Sequence, residues 1–314
     1  MHAGRAAGAD DVDEAVVGLL LDWYAVEARD LPWRGPGVDA WAVLVCEVMS
    51  HQTPVVRVVP AWTAWLERWP TPAALAEDSP GEAVRLWGRL GYPRRALRLH
   101  EAAVALRDRH AGRVPESYEE LLGLPGVGPY TAGAVTAFAH RRRAVVLDVN
   151  VRRVLARVRD GADTRPGAPG RAEVVRAERL LPVEAERSAR WNAAVMELGA
   201  LVCTARAPRC QSCPLLQHCA WAAGREDPGA AAAPNGPGVP AARAPRTTRP
   251  QTYLGTDRHV RGLLLAVLRE EPGTVPPARL DLVWQDREQA GRCLAGLLAD
   301  GLAEAVPGGY RLPG

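Results

Sequence analysis

Four of the six cysteines in this 314-residue chain stand within one short segment, as Cys203-x6-Cys210-x2-Cys213-x5-Cys219. Thiols this close in sequence, in a chain with no sign of export, point to metal binding rather than to disulfides. Four thiolates complete a site by themselves, so His218, beside Cys219, is read as a surface residue and not as a ligand. Their chemistry suits a zinc ion and an iron–sulfur cluster alike. The other two, Cys46 and Cys293, lie far away in apolar surroundings. No apolar run reaches membrane-spanning length, and the N-terminus lacks the apolar stretch of a signal peptide. The expected location is therefore cytoplasmic.

A formal charge of +3 does not announce a nucleic-acid binder. All 39 basic residues are arginine, and the chain has neither lysine nor isoleucine, as codon bias in a GC-rich genome would produce. The missing lysines still exclude one chemistry, since no side chain here can form a Schiff base.

Residues 11–28 carry helical periodicity and end at Asp30-Leu31-Pro32-Trp33-Arg34, where proline marks an extended exit. From about 40 to 222 the signals are almost all helical. Thr71-Pro72 reads as an N-cap and first helical residue, and Ser79-Pro80-Gly81-Glu82 and Ser117-Tyr118-Glu119-Glu120 read as capping boxes. The expectation is an all-α core over 11–222. Residues 223–252, rich in Ala, Pro and Gly, read as a flexible linker. Beyond it, helices near 256–268, 277–284 and 287–300 and a hairpin at 304–312 give a small winged-helix-like domain, 253–314, suited to contact with DNA or protein.

Leu124-Pro125-Gly126-Val127-Gly128-Pro129-Tyr130 sits between two helical patterns. Gly126 and Gly128 flank Val127 and permit a tight turn whose amides point outward at the start of the next helix, a setting that binds anions. Arginines at 141–143 and at 152–153 follow, and arginine beside such amides suits a phosphate backbone. Taken alone, the arginine run reads equally as a solvated face.

Two carboxylates sit in apolar runs: Asp148 within Val145-Val146-Leu147-Asp148-Val149-Asn150-Val151, and Glu47 within residues 41–49. Asp148 is either a helix N-cap or a working group, because an unpaired carboxylate there is costly. Burial should raise the pKa of Glu47 and keep it protonated. One protonated and one ionised carboxyl is what cleavage at a sugar C1′ requires: the acid protonates the leaving group, and the anion stabilises an oxocarbenium-like transition state.

Together these motifs resemble the helix-hairpin-helix DNA glycosylases, and within them the MutY-type adenine glycosylases. The resemblance covers about residues 13–222. It rests on Leu31-Pro32-Trp33-Arg34, Glu47-Val48-Met49, Gln52-Thr53, Leu90-Gly91-Tyr92, the hairpin at 124–130, Asp148-Val149-Asn150-Val151, Glu197-Leu198-Gly199-Ala200 and the cysteine set. The family implies two helical lobes, a six-helix one over about 37–143 and a second from the N-terminal helix plus 144–222. Duplex DNA with a mispaired or damaged base would bind between them, with the protein acting as a nucleoid-associated monomer. It further implies that Glu47 protonates adenine and Asp148 stabilises the cation, with Tyr130 beside Asp148 and Asn150 fixing it. Arg29, Leu31, Trp33, Arg34 and Glu197 match the pocket for the flipped base. Gln52, Thr53, Leu90 and Tyr92 match the wedge that fills the gap in the duplex. The cysteine spacing matches the family's [4Fe-4S] ligands, with zinc the alternative. Endonuclease III-type lyases need a lysine where this chain has Tyr130, so a monofunctional hydrolase is expected.

Two departures stand out. Met49-Ser50-His51-Gln52-Thr53 replaces the family's usual Met-Leu-Gln-Gln-Thr, so the resemblance fixes the target base more firmly than the opposite base, and His51 is expected to add a proton-dependent contact near neutral pH. The 62 residues at 253–314 are also too few for the Nudix-like domain many members carry, and short-tailed actinobacterial members are more similar.

Overall fold

The computed structural model describes residues 9–163, 167–226 and 253–314. Most of the expected linker, 227–252, lies outside the described residues; its first residues, 223–226, are the end of a helix. Along the chain run α1 (Ala9–Glu27), a 3-10 turn (Pro32–Arg34), α2 (Ala40–Ser50), α3 (Val55–Arg68), α4 (Pro72–Glu77), α5 (Pro80–Trp87), α6 (Arg94–Arg109), α7 (Tyr118–Leu122) and α8 (Pro129–Phe138). Then follow α9 (Val149–Leu155), α10 (Arg171–Arg179), α11 (Ala185–Leu201), α12 (Ala220–Glu226), α13 (Asp257–Glu270), α14 (Pro277–Asp281) and α15 (Arg287–Ala299). The strands among the described residues are β1 (Glu304–Val306) and β2 (Gly309–Arg311), so the core is all-α as expected. No described helix is long and apolar enough to cross a membrane.

Short polar side chains set the helix starts by accepting from otherwise unpaired first-turn amides. Asp39 accepts from Ala42 N at 2.8 Å, Thr71 from Ala74 N at 3.2 Å, and Ser117 from Glu120 N at 3.1 Å. Ser79 accepts from Glu82 N at 3.3 Å, but the return half of the expected box differs. Asp78 takes the Ser79 amide at 2.8 Å, while the Glu82 carboxylate pairs with Arg68 and Arg85. Two nearby guanidinium groups outcompete one amide for a carboxylate.

The chain divides into two compact units. Among the described residues, one holds those up to Pro36 and those from Gly128 to 226; the other holds Gly37–Val127 and 253–314. In the first, α1 and α9 pack on α11 around Leu20, Val151, Val154, Trp191 and Leu198. Helix α8 joins this unit because its residues fit closely against the segment before α9. A Cβ added at Gly133 would lie 2.3 Å from the Val145 carbonyl oxygen, and Ala134 and Ala137 cluster with Val146. The break therefore falls at Gly128, ahead of the position expected after residue 143.

The second unit is built on tryptophan. Trp65 meets Trp69 and Trp87 edge to face, at centroid distances of 4.7 and 5.6 Å. Such pairs add about 0.5–1.5 kcal/mol each beyond their buried area. Trp41 Nε1 donates to Trp69 O at 3.0 Å and Trp62 Nε1 to Ala42 O at 2.8 Å, fastening α2 to its neighbours.

Helices α13–α15 close around Val260, Leu264, Leu268, Cys293 and Leu297. β1 and β2 pair antiparallel, and Val275 bridges to Tyr310. This C-terminal module is seated on α5: Gly81 N donates to Pro313 O at 2.8 Å, and Arg269 Nε donates to Val84 O at 2.9 Å. Burial lowers the pKa of Arg269 to about 10.

Candidate active site

In the first unit, Asp148 is the N-cap of α9. Its Oδ1 accepts from Val151 N at 2.6 Å and its Oδ2 from Asn150 Nδ2 at 2.9 Å. Burial pushes the Asp148 pKa up, and the bonds from Val151 and Asn150 pull it back towards the carboxylate form. Asn150 is fixed in turn, because its Oδ1 accepts from Arg153 Nη2 at 2.6 Å. Gly199 in α11 makes room for it: an added Cβ would lie 2.7 Å from that of Asn150. Tyr130, in the first turn of α8, is half-buried against Ala134, Ala137 and Val146.

Arg29 and Arg34 converge with Glu197, more than 160 residues further along the chain. Arg29 donates to Glu197 Oε1 from its backbone N at 2.9 Å and from Nε at 2.7 Å, and to Oε2 from Nη2 at 2.8 Å. Arg34 Nη2 reaches Oε2 at 2.9 Å. Burial works against a charge on Glu197, only 1% exposed, but bonds from Arg29 and Arg34 overcome it and hold its pKa down to about 2. Leu31 is buried and Trp33 half-buried on the same turn.

The arginine reading needs correction at 152–153. Both residues are buried: Arg152 pairs with Glu173 at 2.9 Å, and Arg153 donates to Cys203 O and Gly199 O, each at 2.7 Å. They are internal struts, not phosphate contacts. Arginines 141–143 are exposed, although Arg143 bonds Glu178 O at 2.7 Å and Arg141 meets Glu186 at 3.4 Å.

Cys203, Cys213 and Cys219 pack against the apolar core of this unit. Burial pushes the Cys213 thiol up to about 11, and Cys203, Cys219 and Cys210 add to it as like-charged neighbours, so the four thiols share one neighbourhood. Arg157 braces them: its Nη1 lies 3.5 Å from Cys203 Sγ and 2.8 Å from Thr204 O. Among the described residues no three His, Cys, Asp or Glu side chains converge closely enough to hold a single ion. Four thiols on one loop are a donor set that an iron–sulfur cluster and a zinc ion both accept.

In the second unit, Glu47 is 8% exposed, on α2. Arg95, which the sequence reading passed over, organises the loop that follows. Its Nη1 donates to Val48 O, Met49 O and His51 O at 2.8, 3.1 and 2.7 Å, and its Nη2 donates to Thr53 Oγ1 and Gly91 O at 3.0 and 3.1 Å. One guanidinium thus satisfies the end of the helix carrying Glu47 and ties residues 51–53 to 91. Burial lowers its pKa to about 10. Nothing but its place in an arginine-rich run, three residues past Tyr92, could have signalled this.

Gln52 and Tyr92 stand exposed at adjoining loop tips with φ of 52° and 49°, left-handed conformations that non-glycine residues adopt at a cost. Leu90 and Thr53 are buried instead. Burial, then the charge of Arg95, lowers the pKa of His51, which leaves it neutral near pH 7. That direction disfavours the protonated form on which the expected proton-dependent contact rests. At the hairpin, Gly126 takes φ of 76°, with Arg98 so near that an added Cβ would lie 2.7 Å from that of Arg98; Val127 is buried, and Gly128 caps α8 ahead of Pro129.

Residues 45–170 match the HhH-GPD superfamily of base excision DNA repair proteins. An adenine DNA glycosylase of Mycolicibacterium smegmatis is 49% identical over 291 residues, 92% of this chain and 93% of that one. The human adenine DNA glycosylase is 43% identical over 211 residues, 64% of this chain and 38% of that one, so similarity through the C-terminal module is shared with the mycobacterial relative. A solved thermostable thymine-DNA glycosylase superposes with a TM-score of 0.61 at 25% identity, covering 68% of this chain and 98% of that one. With this match over nearly its whole length, the chain belongs to the helix-hairpin-helix superfamily of base excision DNA repair proteins, in the adenine DNA glycosylase family.

Proposed function

We propose that this protein hydrolyses the N-glycosidic bond of adenine mispaired with 8-oxoguanine or guanine in duplex DNA, acting as a monomer on the nucleoid. The observation that carries the reading is the 49% identity, across 92% of the chain, to an adenine DNA glycosylase. The buried Glu47 and the doubly hydrogen-bonded Asp148 supply the chemistry.

The target nucleotide leaves the base stack, because its C1′ cannot be reached in the duplex. Gln52 and Tyr92, with Thr53 and Leu90 behind them, fill the space it vacates. The amides of Gly126 and Gly128, either side of the buried Val127, take a nearby phosphate, as amides at a helix start do, while that of Val127 donates to Leu124 O at 3.2 Å and closes the turn. Arg29, Leu31, Trp33, Arg34 and Glu197 line the pocket, and Tyr130 stands beside Asp148. Glu47 transfers its proton to a ring nitrogen of adenine. The C1′–N9 electrons leave with the base, and the sugar cation is stabilised by the Asp148 anion, which Asn150 orients. Water then adds to C1′ and releases a proton. With no lysine in the chain, no Schiff base forms and the strand stays whole.

We further assign Cys203, Cys210, Cys213 and Cys219 as ligands of a [4Fe-4S] cluster. When bound, it gives the loop 203–219 a rigid centre and takes no part in the steps above.

Excision by purified protein across duplexes carrying each target and partner tests the assignment. Adenine release opposite guanine and 8-oxoguanine supports it. Release of thymine from T:G with adenine untouched would replace it, a reading favoured by the thymine-DNA glycosylase likeness.

A further inference from the structure

The C-terminal module could face DNA or protein on its sequence alone. Its seat decides between them. Together with the loops bearing Gln52 and Tyr92 it encloses an open groove of about 1190 Å³. That is larger than most small-molecule pockets, which run to about 1,000 Å³. One wall carries Gln52, Arg89 and Tyr92; the other carries Tyr253, Arg258 and Arg261 from the module.

The lining is strongly cationic. Asp300 is the acid among its lining residues, and it is already paired with Arg94 at 3.3 Å and with Arg261. Arg57, Arg89 and Arg258 are all exposed. Arg258, at the start of α13, lies over the Tyr92 ring, 5.4 Å from its centroid, and Arg95 lies 5.4 Å from the same centroid. The exposed Tyr253 offers a second aromatic surface on the facing wall. Exposed guanidinium groups interleaved with aromatic rings suit a polyanion with flat bases.

We propose that this groove is a second DNA-contacting surface, in which the C-terminal module grips the sugar–phosphate backbone next to the wedge residues. The inference rests on the glycosylase reading for the placement of DNA near Gln52 and Tyr92. Arg258 and Arg89 bind phosphates, and Tyr253 packs against the sugar or base of the held strand. The module thereby raises affinity without touching the bond that breaks.

The test uses the full-length protein and a duplex whose target adenosine is 2′-fluorinated and resists cleavage. Binding is measured across a salt series for wild type, Arg258→Glu, Arg89→Glu with Arg258→Glu, and Arg258→Lys. The double variant should bind at least about tenfold more weakly, with the slope of log affinity against log salt reduced by about two. Arg258→Lys should restore the slope, and single-turnover excision at saturating enzyme should stay within about twofold of wild type. An unchanged affinity and slope in the double variant would overturn the proposal and leave the groove to a protein partner. A weaker affinity that Arg258→Lys fails to restore would overturn the electrostatic role. A wild type that removes no adenine would sink the functional reading, while the binding comparison would still judge the groove.

Discussion

Replacing Glu197 with glutamine keeps the side chain's shape and removes the charge that Arg29 and Arg34 share. The Glu197 pKa is held at about 2 against an ordinary 4.5. That difference of 2.5 units corresponds to about 3.4 kcal/mol at about 1.36 kcal/mol per unit. The carboxylate is 1% exposed, but the side chains of Arg29 and Arg34 are 34% and 27% exposed, and solvent screening brings the contribution to about 2–3 kcal/mol. Because the folded pKa is the lower one, this stabilisation is fully present above about pH 5 and is lost as pH falls towards 2, more than half of it by about pH 3. The Arg29 amide, which donates to Glu197 Oε1, gives a local readout by hydrogen exchange. In Glu197→Gln that amide should exchange roughly 30- to 150-fold faster at pH 7. Urea unfolding of the wild type should weaken between pH 5 and 3 by about 1–2 kcal/mol more than that of the variant. Equal exchange and parallel pH profiles would refute the claim that this buried charge pins residues 29–34 to α11.

Glu47→Gln and Asp148→Asn should each abolish adenine excision, a loss of several kcal/mol of transition-state stabilisation, while keeping most affinity for lesion DNA in gel-shift titration. Arg95→Ala should unfasten the loop at 51–53, lowering affinity for mispair duplexes more than for undamaged DNA and costing about 1–3 kcal/mol of stability from the freed carbonyls. Arg152→Ala should leave the salt dependence of DNA binding unchanged and instead destabilise the fold by about 1–3 kcal/mol, since it removes the charge-assisted bonds to Glu173 and the bond to Gly167 O. Anaerobically purified protein should contain about four irons and four acid-labile sulfides, and stoichiometric zinc without sulfide would overturn the cluster assignment.

Much of the fold was legible because helix starts carry local chemical signatures. Thr71, Ser79 and Ser117 cap the helices their sequence contexts announced. The elements of the C-terminal module also fall close to where their periodicity puts them. Family motifs grouped Arg29, Arg34 and Glu197 at one pocket, but their ion pairs were not legible, since no local pattern links residues 29–34 to 197. Of the two readings offered at Asp148, the structure shows the cap: one oxygen caps α9 and the other accepts from Asn150, and the working role is left to the Asp148→Asn variant. Arginine was where sequence reasoning failed. In a chain with 39 arginines and no lysine, the buried struts Arg152, Arg153 and Arg157 look in sequence like the exposed Arg142, and Arg95 is hidden in a run of its own kind. Their roles depend on which carbonyls and carboxylates the fold brings near, and those partners lie up to 50 residues away.

The central claim is tested most directly by incubating excess purified protein with A:8-oxoguanine and A:G duplexes and following a single turnover. The account predicts free adenine and an abasic strand that breaks only after alkali treatment. Strand cleavage without alkali, or intact adenine in both duplexes, would contradict it.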